Sequence, residues 1–129
     1  MKVKILPSKT SGEVSAPPSK SFAHRYLIGS VLSRGKCVIK NIADSDDISA
    51  TLSCIEQLGG SVTKDGNIVT VIPTNEKQIE NAVFDCKESG STLRFFIPVV
   101  LATGAKNCTF LGSERLLARG IKEYEKLFE

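Results

Sequence analysis

One segment of this chain occurs twice, and that duplication restricts the fold more than any other feature. Arg25-Tyr-Leu-Ile-Gly-Ser-Val-Leu-Ser-Arg-Gly35 and Arg94-Phe-Phe-Ile-Pro-Val-Val-Leu-Ala-Thr-Gly104 lie 69 positions apart and agree at Arg, Ile, Val, Leu and Gly. The apolar agreements recur at helical spacing, and the glycine stands where helices commonly end. With two residues inserted, Cys37 and Cys108 then open the next segment in both copies. Chance agreement among common apolar residues is the plain alternative. The shared Arg and Gly at fixed ends favour two copies of one supersecondary unit.

Around the repeat, the order reads β, then αβαββ, then βαβα. Lys2–Leu6 alternates charged and apolar residues and predicts a strand ended by Pro7, and Ser8–Pro18 is a polar loop. A helix is expected from Ser19 to Ser33, closed by Gly35, then a strand at Cys37-Val-Ile-Lys40. Asp44-Ser-Asp-Asp47 opens a second helix that runs to Leu58 and closes at Gly59-Gly60. Ser61–Lys64 and Ile68–Ile72 flank Asp65-Gly66-Asn67, a hairpin signal. A strand over Gln78–Asp85, a helix opening near Ser89-Gly-Ser91, a strand over Asn107–Leu111 and a helix over Ile121–Phe128 complete the reading. Pro98 lies beyond the first turn of its helix and predicts a kink. The fold class is α/β of the α+β type, built from repeated units. The chain reads as one partial domain: residues 1–18 form a leading strand and loop, 19–85 a first unit with the following strand, and 86–129 an incomplete second unit. The second copy stops where its hairpin is expected, which predicts an open sheet edge, an uncovered apolar face and self-association through them.

Composition narrows the function classes. With 41% hydrophobic and 24% charged residues, the chain is an ordinary globular sequence. Its net charge of +3 is spread without runs and hints at anionic ligands, not nucleic acid. Aromatics at 6% with no Trp supply no stacking platform for single strands. The four cysteines have no metal-ligand spacing, so reduced core thiols are expected, with no metal or organic cofactor. No apolar run approaches membrane-spanning length, and Met1-Lys-Val-Lys-Ile-Leu-Pro7 is too short and charged for a secretory signal, so a cytoplasmic protein is expected.

The chemistry concentrates at helix starts. In Ala16-Pro-Pro-Ser-Lys-Ser-Phe-Ala-His-Arg25, two prolines fix an extended approach, Ser19 or Ser21 can cap, and the free first-turn amides can hold an anion. Ser21 and Arg25 share a helical face, and Lys20 adds a mobile charge. The second copy repeats the device in Glu88-Ser-Gly-Ser-Thr-Leu-Arg94, where Gly90 lets a ligand approach the backbone. Capped helices with solvated charges are the bland reading of both. Arg115 and Arg119 read by default as a solvated face, Asp44–Asp47 as capping and macrodipole residues, His24 as structural, and Tyr26 and Phe95 as packing.

Pro18-Ser-Lys-Ser-x-x-x-Arg25, Asp44-Ser-Asp-Asp47, Glu88-Ser-Gly-Ser-Thr-Leu-Arg94 and Glu114-Arg-Leu-Leu-Ala-Arg119, in this order and spacing, resemble the 5-enolpyruvylshikimate-3-phosphate (EPSP) synthase family. The resemblance covers the whole chain. It implies the enolpyruvyl transferase fold, with two domains of three βαβαββ units around a cleft, in a chain several times longer and monomeric. This sequence would be its N-terminal portion, inactive alone, with the leading strand belonging to the other domain. The implied reaction, in chorismate and aromatic amino acid biosynthesis, adds the 5-hydroxyl of shikimate 3-phosphate to C2 of phosphoenolpyruvate, then expels phosphate. The resemblance places Lys20, the catalytic lysine, between the two substrates. It puts Ser21 and Arg25 on shikimate 3-phosphate, Gly90 and Arg119 on phosphoenolpyruvate, and Arg94 in a supporting role. The family's acid–base carboxylates would lie later in the full chain. Gly120 departs from the family's usual proline after that arginine, which predicts a looser Arg119.

Two other classes compete. The related transferase that acts on UDP-N-acetylglucosamine resembles this chain in fold but has Lys-Asn in place of Lys20-Ser21, and commonly a cysteine in place of Glu114. A non-catalytic anion-binding or interaction module is favoured only by length.

Overall fold

The computed structural model describes residues 2–74 and 79–128. The order is α1 (Lys20–Val31), β1 (Cys37–Ile39), α2 (Asp46–Gln57), β2 (Ser61–Asp65), β3 (Ile68–Ile72), β4 (Val83–Asp85), α3 (Gly90–Ala102), β5 (Thr109–Leu111), α4 (Glu114–Leu117) and α5 (Lys122–Phe128). From the first helix onward this matches the expected alternation, with the short α4 added.

The front of the chain differs. Lys2–Leu6 forms no strand, and Val3, Ile5 and Leu6 stand exposed. The alternation offers one apolar face, but a strand needs a neighbour to take its backbone groups, and none of the described strands runs beside it. Gly35 also does not close α1. The helix ends at Val31 with Leu32 as its cap, three residues earlier. Gln78, where a strand was expected to begin, lies outside the described residues; β4 is Val83–Asp85, preceded by a single bridge from Glu80 to Lys106.

Two sheets carry the architecture. β1, β3 and β2 form an antiparallel sheet in that order. Asp65 pairs with Ile68, so the turn is Gly66-Asn67, and Gly66 takes the φ of +54° that a two-residue hairpin needs at its first position. β4 and β5 run parallel, with α3 as their crossover. α1, α2 and α3 pack on one another, and α1 and α2 also cover β3 and β2. The core between them buries Leu27, Ile55, Val69, Val71, Phe84 and Phe96 completely. Phe84 sits between Phe96 and Phe110, with ring centroids 6.1 and 5.1 Å away. Burying each such ring contributes about 2–3 kcal/mol.

The repeated positions share their burial. Leu27 and Phe96 are fully buried, Ile28 and Ile97 are equally close to it, and Leu32 and Leu101 are both 53% exposed. The match therefore extends beyond the buried face to an exposed leucine. Beside α3 and β5 lies an open apolar groove of about 720 Å³, lined by residues including Ile97, Val100, Cys108, Phe110 and Ile121.

Pro98 does not end α3, which runs unbroken from Gly90 to Ala102. Its missing N–H deprives the Arg94 carbonyl, one turn earlier, of its helical donor. The Tyr124 hydroxyl of α5 donates to that carbonyl at 2.7 Å.

Candidate anion-binding site

Four helices begin the same way. Ser19, Ser45, Ser89 and Ser113 each stand one residue ahead of the first turn and accept from the amide three residues on, at 3.4, 3.3, 3.2 and 3.2 Å. Each cap satisfies one amide and leaves the other first-turn donors, with the positive end of the helix dipole, for whatever lies in front.

Three of these starts converge. Lys20, the first residue of α1, places its Nζ 2.7 Å from Asp47 Oδ2 in the first turn of α2. The Thr92 hydroxyl of α3 reaches the Asp47 carbonyl at 3.4 Å. The Lys20–Asp47 pair is well exposed, so it is worth at most about 1 kcal/mol and is readily exchanged for a more highly charged anion. Arg25 donates through Nη1 to the Ser21 carbonyl at 2.7 Å, and its guanidinium lies 5.0 Å from the Phe95 ring centroid on α3.

At the start of α3 a cavity of about 490 Å³ is lined by Asp47, Glu88, Ser89, Gly90, Ser91, Arg94, Phe95 and Arg119. Gly90 has a packing reason to be glycine. A Cβ there would sit 2.8 Å from Arg94 Nη1, so its absence lets that guanidinium close on the helix start, while Arg119 Nη1 at 3.8 Å is in ordinary contact range. Arg94 donates to the Gly90 carbonyl at 3.4 Å and to the Gly120 carbonyl at 3.5 Å, tying α3 to the turn after α4. Gly120 takes φ +66°, a left-handed conformation that proline cannot adopt.

The structure thus gathers Gly90, Arg94 and Arg119 around one cavity. Lys20 joins through Asp47, and Arg25 through Phe95. Ser21 is exposed on α1 and does not line the cavity. Asp47 and Phe95 have a second role beside the capping and packing expected of them, because their positions relative to Lys20 and Arg25 depend on how α2 and α3 pack.

A buried polar chain runs behind the cavity. His24 Nδ1 is 2.8 Å from Thr51 Oγ1, which is 2.8 Å from Thr92 Oγ1, and the Thr92 hydroxyl donates to Ser89 Oγ at 2.7 Å. Burial lowers the His24 pKa from its ordinary 6.5, the Asp47 charge opposes this, and Lys20 and Arg25 add to the lowering. His24 is buried within this polar chain, and Thr51 and Thr92 gave no sign of their place in it, since threonine inside a helix usually reads as neutral.

All four cysteines are free thiols. Cys54 and Cys86 are both buried, and the hydrogen bond that the Cys54 thiol donates to Cys86, with burial, pushes the Cys54 thiol far up. Among the described residues no cluster of His, Cys, Asp or Glu is arranged to hold a metal, and no helix is long and apolar enough to cross a membrane.

The profile of EPSP synthase (3-phosphoshikimate 1-carboxyvinyltransferase) matches residues 6–129. The 3-phosphoshikimate 1-carboxyvinyltransferase of Clostridium novyi (strain NT) is 40% identical over 98% of this chain, and that of Clostridium botulinum (strain Eklund 17B / Type B) is 45% identical over 91%. The chain spans 31% and 27% of those two proteins. An EPSP synthase structure from Acinetobacter baumannii superposes on 89% of this chain with a TM-score of 0.75 at 19% identity, using 26% of its own length. By the profile and by these relatives, the chain belongs to the EPSP synthase family.

Proposed function

We propose that this chain forms one wall of the substrate cleft of a transferase that moves the enolpyruvyl group of phosphoenolpyruvate to the 5-hydroxyl of shikimate 3-phosphate. The observation that supports it most is the convergence of Gly90, Arg94 and Arg119 on one cavity, with Lys20 held nearby by Asp47. In this reading Lys20 lies between the two substrates, where it can leave Asp47 for the developing charge. Ser21 and Arg25 bind shikimate 3-phosphate from α1. The first-turn backbone at Gly90 and the Arg119 guanidinium bind phosphoenolpyruvate, and Arg94 holds those two elements together. The 5-hydroxyl gives up its proton and adds to C2 of phosphoenolpyruvate while a proton is taken up at the methylene carbon, and collapse of the tetrahedral adduct expels phosphate as the new methyl group loses a proton, which restores the double bond. Holding two polyanions at fixed separation is the contribution this wall makes. The residues named here bind and orient the substrates; the family resemblance assigns proton transfer to carboxylates that are not among them. The reading also entails a cytoplasmic protein whose partners are these two small anions, and an open β5 edge that self-associates in sedimentation at rising concentration.

Calorimetry tests the proposal. The 129-residue chain is titrated with shikimate 3-phosphate and with phosphoenolpyruvate, beside Lys20→Ala and Arg25→Ala variants. Binding of both, with the first weakened by either substitution, supports the reading. A folded chain that binds neither removes it.

A further inference from the structure

The proposed function uses the amides and guanidinium groups of the cavity and leaves the polar chain behind it without a task. All four of its side chains are almost completely buried: His24 and Ser89 at 2% exposure, Thr51 and Thr92 at 0%. Hydroxyls in such a place are costly unless every proton finds an acceptor, and each hydroxyl has one proton to give. Thr51 and Thr92 also reach the Asp47 carbonyl, at 3.1 and 3.4 Å, but the links along the chain are shorter, at 2.7–2.8 Å, and favour one direction or the other at a time. Thr92 donates its hydroxyl proton to Ser89 Oγ, and its amide donates to the same oxygen. Ser89 Oγ is thus doubly an acceptor, and no acceptor for its own proton is present among the described residues. Ser89 lines the cavity at the start of α3.

We propose that His24 is a positioning residue which, through Thr51 and Thr92, turns the Ser89 hydroxyl outward as an added donor to the anion held at Gly90. The proposal rests on the assignment of phosphoenolpyruvate to that cavity. The three hydroxyls each donate and accept at one oxygen and can reverse together, so the group at the end of the chain sets its direction, and the imidazole Nδ1 is a donor or an acceptor according to the tautomer. With the proton on Nδ1, His24 donates to Thr51, Thr51 to Thr92 and Thr92 to Ser89, so the last proton faces the cavity. With the proton on Nε2, Nδ1 accepts from Thr51, the order reverses, and the Ser89 proton is drawn inward to Thr92. The charged groups facing the imidazole are Asp47 from α2 and Lys20 and Arg25 from its own helix, and burial keeps it neutral at neutral pH, so the tautomer is what varies.

His24 is the one histidine of the sequence, so its ring nitrogens can be read without ambiguity by ¹⁵N NMR on the 129-residue chain. The expected wild-type spectrum is that of a neutral Nδ1–H imidazole. Thr92→Val cuts the chain in the middle while keeping shape and the Ser89 cap. It is expected to weaken phosphoenolpyruvate binding about tenfold, the effect of one hydrogen bond to a charged group. It should also shift the His24 signals and leave shikimate 3-phosphate affinity within about twofold, while Thr92→Ser restores both readouts. Unchanged phosphoenolpyruvate affinity in a folded Thr92→Val, or unchanged His24 signals, overturns the proposal. If Thr92→Val does not fold, the wild-type tautomer decides alone: an Nε2–H imidazole reverses the chain and refutes it. If wild type binds neither substrate, the proposed function fails separately, and the tautomer still decides the direction of the relay.

Discussion

Replacing Gly90 with alanine probes the cradle with a single methyl group. The new Cβ would lie 2.8 Å from Arg94 Nη1, whereas ordinary contact begins near 3.4 Å, so the guanidinium must retreat by about 0.6 Å. Its bonds to the Gly90 and Gly120 carbonyls, at 3.4 and 3.5 Å, are already long, and a retreat of that size breaks at least one. Each is worth about 0.5–1 kcal/mol. Against this, alanine at a position without positive φ stabilises by about 0.4–1 kcal/mol through the unfolded chain. The two nearly cancel, so the thermal midpoint should move by less than about 4 °C. Binding has no such cancellation, because the methyl group occupies the cavity and moves Arg94 as well. Loss of one charge-assisted contact, about 1.5 kcal/mol, predicts phosphoenolpyruvate affinity roughly tenfold lower. Shikimate 3-phosphate, assigned to α1, should bind as before. Calorimetry with both ligands and a thermal melt on the same sample read all three quantities. Equal weakening of both ligands would show that the cleft deforms as a whole, and undiminished phosphoenolpyruvate binding would show that Gly90 is not its cradle; either result refutes the reasoning.

Three further outcomes are expected. Tyr124→Phe should cost about 1 kcal/mol by leaving the Arg94 carbonyl without a donor, and in a Pro98→Ala background, where the helix regains its own N–H, the same change should cost much less; equal costs in a double-mutant cycle count against the pairing. His24 has a folded pKa below its unfolded 6.5, so the unfolded chain binds the extra proton, and stability should fall as pH drops below about 6.5 and level off beneath the folded pKa; denaturant titrations of His24→Gln should lose this limb. Cys37 and Cys108, which are half-buried, should react with a thiol reagent in the native chain, while Cys54 and Cys86 should react only on unfolding; four equally fast thiols would contradict the burial.

The sequence was informative where structure is local. The caps of α1, α2 and α3 and the hairpin turn at Gly66 follow from residues within a few positions of one another, whereas the parallel pairing of β4 with β5 joins residues 26 positions apart. Gly35 misled because a glycine near a helix end resembles a terminator, although the helix had closed at Leu32. Lys2–Leu6 misled because its pattern specifies a face but not a partner. In the cleft, motif residues announced themselves as charges at helix starts. Their partners did not, because Asp47 and Phe95 are each explained locally by capping or packing. The His24–Ser89 relay joins residues up to 41 positions apart in a single link, and only the packing of three helices brings them together.

The Tyr124 hydroxyl that completes α3 lies 30 residues beyond the carbonyl it serves. At roughly 5–20 residues per second, a ribosome delivers it about 1.5–6 seconds after Arg94. During that interval α3, which is continuous but lacks one helical hydrogen bond at Pro98, has no side-chain donor for its open carbonyl and depends on water for it. The helix that carries Gly90 and Arg94 at its start therefore receives the donor for this one carbonyl only when α5 has been made.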